Sequence, residues 1–200
     1  MDEIIKASLA KSLSYQEYRD LMTQLVENES TTGPNKSHDL VEYTKLNDQR
    51  MKRWDKTIKV SDSIKENLNQ ITSKQTWLVL TESWCGDAAH VIPVFNKMAE
   101  LSKNINLRLV LRDENEALMN QFLTNGGKSI PKLIVIDEET QKVITSFGPR
   151  PADATKLIVD YKAKHKEITQ EIKEQLQQWY NKDKGQSVMR ELLELITVTV

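Results

Sequence analysis

The feature that most constrains the fold is a regular alternation of strand-like and helix-like hydrophobic patterns after residue 56. Residues 76–81 are apolar on both faces, which is typical of a strand buried between two layers of helices. Helical spacing follows over residues 86–102, and the two patterns keep alternating up to residue 164. Such alternation indicates an α/β domain with a central sheet between helices.

The other elements of this region follow from their apolar spacing and from the turn residues between them. In chain order we predict a strand at 57–60, a helix opened by a capping box of Ser63 and Glu66, a strand at 106–111, a helix at 114–123 ended by Gly126 and Gly127, and a hairpin of strands at 132–136 and 142–147. Pro93 lies inside the helix at 86–102, where it removes a backbone donor and is expected to kink the helix.

Residues 1–56 and 165–200 are predicted to be helical extensions of a central domain at 57–164. In the first extension, Ser14 and Glu17 form a capping box before an amphipathic helix, and a second helix runs to about Trp54. After Pro151 we predict one long helix that continues to Trp179, followed by a short helix at 188–196. The apolar faces of the extensions can pack on the same chain or bind a partner, and we expect them to pack on the same body.

The composition excludes several functional classes. A formal net charge of −1 provides no field to attract nucleic acid or anionic lipid, and no apolar run is long enough to cross a membrane. The single cysteine, Cys85, cannot form a disulfide within the chain, which fits a reducing compartment. With three scattered histidines it offers no metal-ligand spacing, so we expect no metal site and a soluble, cytoplasmic protein.

The lone cysteine lies in the loop Trp84-Cys85-Gly86-Asp87-Ala88, directly after the buried strand at 76–81. Pro93 follows the cysteine by eight residues, and Ile130-Pro131 precedes the strand at 132–136. Together these motifs and their spacing resemble the thioredoxin family over a little more than half of the chain. The resemblance implies a thioredoxin-like α/β fold, with a central mixed sheet flanked by helices.

The resemblance also implies a site. Cys85 would act as the nucleophile at a helix N-terminus, where free backbone donors and the helix dipole stabilise a thiolate. Pro131 would be a cis-proline, and the backbone of Ile130 would dock an extended substrate segment beside Cys85. Substrate contacts would come from the loop around the cysteine, from this ledge and from the last loop of the domain: Trp84, Gly86, Asp87, Ala88, Ile130, Pro131 and Arg150.

Three positions depart from the family pattern, and all of them affect the thiol cycle. Ala88 stands in place of the second cysteine, so no thiol in the chain can resolve a mixed disulfide. Val79 stands in place of the family's buried acid. At about 6 Å, the charge of Asp87 would repel a thiolate by roughly 0.7 to 2.8 kcal/mol, against about 0.3 to 1 kcal/mol from the helix terminus. We therefore expect the pKa of Cys85 to lie closer to that of a free thiol than in a two-cysteine thioredoxin, unless Arg150 compensates.

Two hypotheses follow, and whether the protein is an enzyme stays open. In the first, an exposed Cys85 exchanges disulfides with protein thiols or disulfides, and an external thiol, with glutathione as the candidate co-substrate, completes turnover. In the second, the chain is a non-enzymatic binding module or a redox sensor with a degenerate site. Cluster binding, as in single-cysteine glutaredoxins, is disfavoured because Gly86-Asp87-Ala88 does not match that family's loop. We interpret His90 as a structural or a solvated histidine and Glu82 as an exposed loop carboxylate.

Overall fold

The computed structural model describes residues 2–165 and 167–197. Its helices are α1 (Glu3–Leu9), α2 (Tyr15–Glu27), α3 (His38–Thr57), α4 (Asp62–Asn69), α5 (Gly86–Glu100), α6 (Glu116–Gln121), α7 (Ala152–Lys164), α8 (Gln170–Asp183) and α9 (Gln186–Thr197). Its strands are β1 (Gln75–Thr81), β2 (Ile105–Leu111), β3 (Lys132–Asp137) and β4 (Val143–Phe147).

The four strands form one sheet in the order β2-β1-β3-β4. β1 is parallel to β2 and antiparallel to β3, and β3 pairs with β4 in an antiparallel hairpin. This mixed sheet flanked by helices confirms the predicted α/β fold class. β1 occupies an inner position because it is apolar on both faces: Trp77, Leu78, Val79 and Leu80 are all fully buried.

Two predicted features around residue 60 are wrong. Residues 58–60 do not form a strand, because α3 continues to Thr57 and the chain then leads directly to α4. The cap of α4 is Ser61, whose side chain accepts a hydrogen bond from the backbone N–H of Ile64, so Ser63 and Glu66 are not its capping box. The capping box of Ser14 and Glu17 at the start of α2 is confirmed.

Two predicted helices differ from those observed. Residues 112–114 form a 3₁₀ turn and α6 spans only Glu116–Gln121, so the helix ends several residues before Gly126. The long helix expected after Pro151 is divided into α7 and α8, with a break between Lys164 and Gln170. The helical spacing of the apolar residues continues across this break, and for that reason the sequence pattern alone did not reveal it.

The helices of both extensions share one hydrophobic core with the sheet. Tyr18 and Met22 of α2, Met51 and Trp54 of α3, and Leu192 of α9 are buried in the same cluster as β1. The predicted boundary at residue 56 falls inside the last turn of α3. The extensions therefore contribute side chains to the core on which the loop around Cys85 rests.

The N-terminal segment also covers one edge of the sheet. Leu13 exchanges two backbone hydrogen bonds of 2.8 Å with Leu109 of β2, and the guanidinium of Arg108 donates to Ser12. Paired backbone at this position removes donors and acceptors that an edge strand otherwise presents to another chain. None of the helices in the described ranges is long and apolar enough to span a membrane.

Gly148 directly follows β4, and its backbone lies very close to Pro131, the residue that precedes β3. Its φ is +114°, and a Cβ placed there would lie 2.2 Å from the carbonyl oxygen of Pro131. By contrast, Gly126 has a φ of +78° with nothing within 4 Å of the same position. A comparison of substitutions at these two glycines therefore distinguishes the cost of a left-handed backbone from the cost of a steric clash.

We predict that Gly148→Ala lowers the free energy of unfolding by about 3 kcal/mol or more, because strain and a backbone clash act together. Gly126→Ala should lower it by only about 1 kcal/mol, the cost of left-handed backbone alone. Urea denaturation followed by circular dichroism measures both values. Equal losses in the two variants would contradict the close approach at Gly148.

Candidate functional site

Cys85 lies where the sequence places it, at the junction between β1 and α5. It is the N-cap residue of α5, so its side chain is next to the free backbone N–H groups of the first turn. The residue is nevertheless only 8% exposed, and its Sγ donates a hydrogen bond to the carbonyl oxygen of Ile130 at 3.3 Å. The expectation of an exposed thiol is therefore wrong.

The N-terminal extension holds the loop that precedes the cysteine. The hydroxyl of Ser83 contacts the hydroxyls of Thr31 at 3.0 Å and Thr44 at 2.9 Å, and it accepts a hydrogen bond from the backbone N–H of Thr32. The amide of Asn47 donates to the carbonyl oxygen of Ser83 at 2.9 Å. These buried hydrogen bonds fix the loop to α3 and to the segment before it, which helps to keep Cys85 covered.

Asp87 is buried, and two groups from distant parts of the chain bind its carboxylate. Arg150 forms a two-pronged ion pair with its carboxylate, with Nε to Oδ1 at 2.9 Å and Nη2 to Oδ2 at 2.5 Å. The phenol of Tyr180, on α8, donates to Oδ1 at 2.8 Å. Arg150 therefore lies near the thiol, as expected, but its main partner is the carboxylate of Asp87.

Burial, and after it the charge of Asp87, raise the pKa of the Cys85 thiol to about 12. The backbone N–H groups of Ala88 and Asp87 and the cation of Arg150 oppose this shift. The expected weakening of the thiolate thus appears, but its main cause is removal of the sulfur from water, with Asp87 second. At this pKa the helix N-terminus does not produce an activated thiol.

His90 is a buried structural residue, in agreement with its interpretation from the sequence. Its Nδ1 accepts a hydrogen bond from Trp54 at 2.8 Å, and its Nε2 lies 2.9 Å from Oε1 of Gln177. The ring stacks on Tyr180 with centroids 4.3 Å apart. Burial, together with the nearby cation of Arg50, lowers the pKa of His90 to about 3, so the ring is neutral.

Glu82 is buried, so the interpretation as an exposed loop carboxylate is wrong. Its Oε1 accepts a hydrogen bond from the backbone N–H of Asp113 at 2.8 Å. Its Oε2 has no hydrogen-bond partner among the described residues. Burial raises the pKa of this carboxyl group. The surroundings of Glu82 therefore favour its protonated form, and ionisation of this carboxyl group lowers the stability of the folded protein.

The predicted docking ledge is buried beneath the loop. The peptide bonds before Pro131 and Pro149 are cis, and Ile130 is only 6% exposed. The carbonyl oxygen of Ile130 already accepts the hydrogen bond from Cys85. The carbonyl oxygen at the predicted docking ledge is therefore already hydrogen-bonded within the chain.

A cavity of about 360 Å³ opens beside the loop and not above the sulfur. Of the predicted site residues it is lined by Trp84, Gly86, Asp87 and Arg150, whereas Cys85, Ala88, Ile130 and Pro131 lie outside its lining. The remaining lining residues come from α3, α5, α7, α8 and the segment between α7 and α8: Leu40, Tyr43, Arg50, His90, Ile158, Lys162, Ile168, Lys173, Leu176, Gln177 and Tyr180.

Sequence reasoning missed the contributions of the extensions to this site. Arg50, Lys173 and Tyr180 each occupy an amphipathic helix, and nothing in the local spacing distinguishes them from solvated or core positions. In the described part of the chain, no group of three or more histidine, cysteine or acidic side chains is placed to hold a metal ion.

We predict that Arg150→Met lowers the free energy of unfolding by about 3 kcal/mol, because it leaves the buried carboxylate of Asp87 without its cation. The matched control is Lys156→Met, which removes an exposed ion pair with Asp160. It should change stability by less than about 0.5 kcal/mol. The double variant Asp87→Asn/Arg150→Met should recover part of the loss. A loss in Arg150→Met no larger than in the control would contradict the role of this pair.

The raised pKa of Glu82 gives a pH-dependent prediction with a definite sign. The folded state holds the proton more tightly than the unfolded state, so stability falls as pH rises from about 4.3 through the folded-state pKa. Glu82→Gln removes this loss and should be more favourable, relative to the wild type, at pH 7 than at pH 4.

The control for this measurement is Glu17→Gln. Hydrogen bonds from Ser14 lower the pKa of Glu17, so its contribution is present above the unfolded pKa and lost as pH falls. Glu17→Gln should therefore be less favourable at pH 7 than at pH 4. Urea denaturation at both pH values tests the pair, and the same trend in both variants would contradict the prediction.

Comparisons with known proteins bear on the family and the fold of the chain. The thioredoxin family model matches residues 33–167. Two similar solved structures are the crystal structure of an HIV epitope-scaffold, with a TM-score of 0.58 and 18% identity over 94% of this chain and 100% of that chain, and a protein of unknown function from Pseudomonas aeruginosa, with a TM-score of 0.55 and 18% identity over 94% of this chain and 99% of that one. No curated protein matches the sequence. At these identities the structural likeness shows the fold alone, while the family match covers more than half of the chain, and the chain belongs to the thioredoxin family.

Proposed function

We propose that this chain is a thioredoxin-fold binding module in which Cys85 does not turn over disulfides. The observation that carries the proposal is the state of the thiol: it is buried and donates its hydrogen bond to Ile130. An approaching disulfide would have to displace this contact and open the loop that Ser83 anchors.

The competing hypothesis is single-cysteine exchange with an external thiol. In that reaction the Cys85 thiolate attacks a disulfide, forms a mixed disulfide and releases one thiolate, and glutathione must then attack the mixed disulfide to restore the free thiol. With a pKa of about 12, only about one molecule in 10⁵ carries the thiolate at pH 7. Exchange would therefore be slow at its first step.

The neighbouring positions do not help the thiol. Ala88 supplies no resolving sulfur, and Val79, fully buried in β1, supplies no proton acceptor. Glu82 is bonded to the backbone of Asp113. What the loop does offer to a ligand is its other side, where Trp84, Gly86 and Asp87 line the cavity. Binding at that cavity requires no change at the sulfur.

Alkylation of Cys85 by iodoacetamide tests the proposal directly, because the chain has no other cysteine. In the folded protein at pH 7 we expect alkylation at least about 100-fold slower than in urea, and a rate that is still rising with pH at pH 9, since only the thiolate reacts. Cys85→Ser is the control for adducts elsewhere.

Glutathione provides the second measurement. The protein incubated with oxidised glutathione should show no mixed disulfide by mass spectrometry, and reduction of a disulfide substrate by glutathione should proceed equally with the wild type and Cys85→Ser. An alkylation midpoint below about pH 8.5, or turnover that depends on Cys85, would support exchange and overturn the binding module.

A further inference from the structure

The cavity beside the loop has an unbalanced charge. Among the residues that the structure describes, four cationic side chains line it, namely Arg50, Arg150, Lys162 and Lys173, against one carboxylate, that of Asp87. The histidine in the lining, His90, is neutral and has both ring nitrogens engaged. The chain as a whole carries a formal charge of −1, so the cationic lining is a local feature. It points to an anionic ligand.

The cations of the cavity are not equally available. Arg150 is committed to Asp87, which also accepts from Tyr180, so this group is neutralised internally. Arg50 is half-buried and, within the described ranges, donates a hydrogen bond only to the neutral side-chain oxygen of Asn47, at 3.0 Å. Among the described residues no carboxylate lies within ion-pair distance of Arg50. Partial burial lowers the pKa of Arg50, and the charge of Asp87 opposes this shift without a direct ion pair, so a ligand anion in contact with the guanidinium would stabilise its charge further.

Lys173 of α8 provides a second charge in the lining of the cavity. Its Nζ lies 3.1 Å from the hydroxyl of Tyr43 and 5.6 Å from the centre of the Tyr43 ring. No carboxylate of the described residues pairs with it either. Arg50 on α3 and Lys173 on α8 therefore both line the cavity, and each can donate further hydrogen bonds to an acceptor on a ligand.

The rest of the lining is apolar. Leu40, Ile158 and Leu176 and the ring of Trp84 supply hydrophobic walls from α3, α7, α8 and the loop. The volume of about 360 Å³ lies at the lower end of small-molecule sites, which span about 300 to 1,000 Å³. A small ion such as phosphate would leave these walls uncovered, whereas a molecule with an apolar body would cover them.

We propose that this cavity binds a small organic anion with an apolar body, such as a medium-chain carboxylate, whose head pairs with Arg50. The planar guanidinium matches a carboxylate in a two-pronged hydrogen bond, and Lys173 adds charge on the other side. The inference rests on the proposed function, because it names the ligand class of the same binding module. It requires no chemistry at Cys85.

Calorimetric titration with decanoate, below its micelle concentration, tests the proposal against decanol as the neutral analogue of equal chain length. We expect decanoate to bind at one site, at least 10-fold more tightly than decanol. Arg50→Gln should weaken decanoate at least 10-fold and leave decanol unchanged. The matched control is Lys56→Gln, an exposed lysine of α3 outside the lining, which should leave both affinities unchanged.

Arg50 touches Asn47, which anchors Ser83, so Arg50→Gln could act through the fold. Lys173→Gln is the second variant, because Lys173 is exposed on α8, and it should weaken decanoate by a smaller factor without a change in melting temperature. Equal binding of decanoate and decanol, no decanoate binding, or no effect of both variants would each overturn the proposal.

The outcomes are distinguishable from those of the thiol experiments. A slowly alkylated Cys85 without decanoate binding overturns the ligand class and leaves the inert thiol in place. A rapidly alkylated Cys85 with decanoate binding overturns the binding module as the sole function and keeps the anion site. The two experiments probe different places in the protein, the Cys85 thiol and the cavity, because Cys85 is not part of the cavity lining.

Discussion

Three separate parts of the chain meet at the carboxylate of Asp87, and much of the site depends on that contact. Asp87 lies in the first turn of α5, Arg150 follows β4, and Tyr180 belongs to α8. An ionised carboxylate is costly to bury unless its charge is matched and its oxygens are bonded, so this contact holds the three elements in one arrangement. Tyr180 also stacks on His90, which is bonded to Trp54 of α3, and thereby links both extensions to the first turn of α5.

The central fold could be predicted because the hydrophobic patterns that specify its strands and helices are local and recur along the chain. The two-sided apolar pattern of β1 and the turn between β3 and β4 are visible in short windows of sequence. Two of the wrong predictions had no local signal that could have corrected them. Residues 58–60 have the composition of a strand, but the sheet provides no partner for them, and the division between α7 and α8 interrupts a pattern whose spacing continues.

The candidate site was predictable only in its loop. Trp84, Gly86, Asp87 and Arg150 were identified from the sequence and do line the cavity. The loop before Cys85, however, is anchored at Ser83 by Thr31, Thr44 and Asn47, which are far away in the chain. Exposure and pKa follow from such tertiary contacts, so the sequence indicated a weakened thiolate without identifying its main cause. The sequence on either side of Arg50 and Lys173 is that of an ordinary amphipathic helix, so it does not distinguish these two cations from solvent-exposed ones.

The paired backbone at Leu13 and Leu109 has a consequence for assembly. At this point the outer side of β2 is occupied by the chain's own N-terminal segment, whereas β4 pairs within the described residues only with β3. The two borders of the sheet are therefore unequal in their capacity to accept an added strand. A second copy or an extended peptide that lengthened the sheet would join beyond β4, on the border that carries the partly exposed Val143, and the assembly would have a direction.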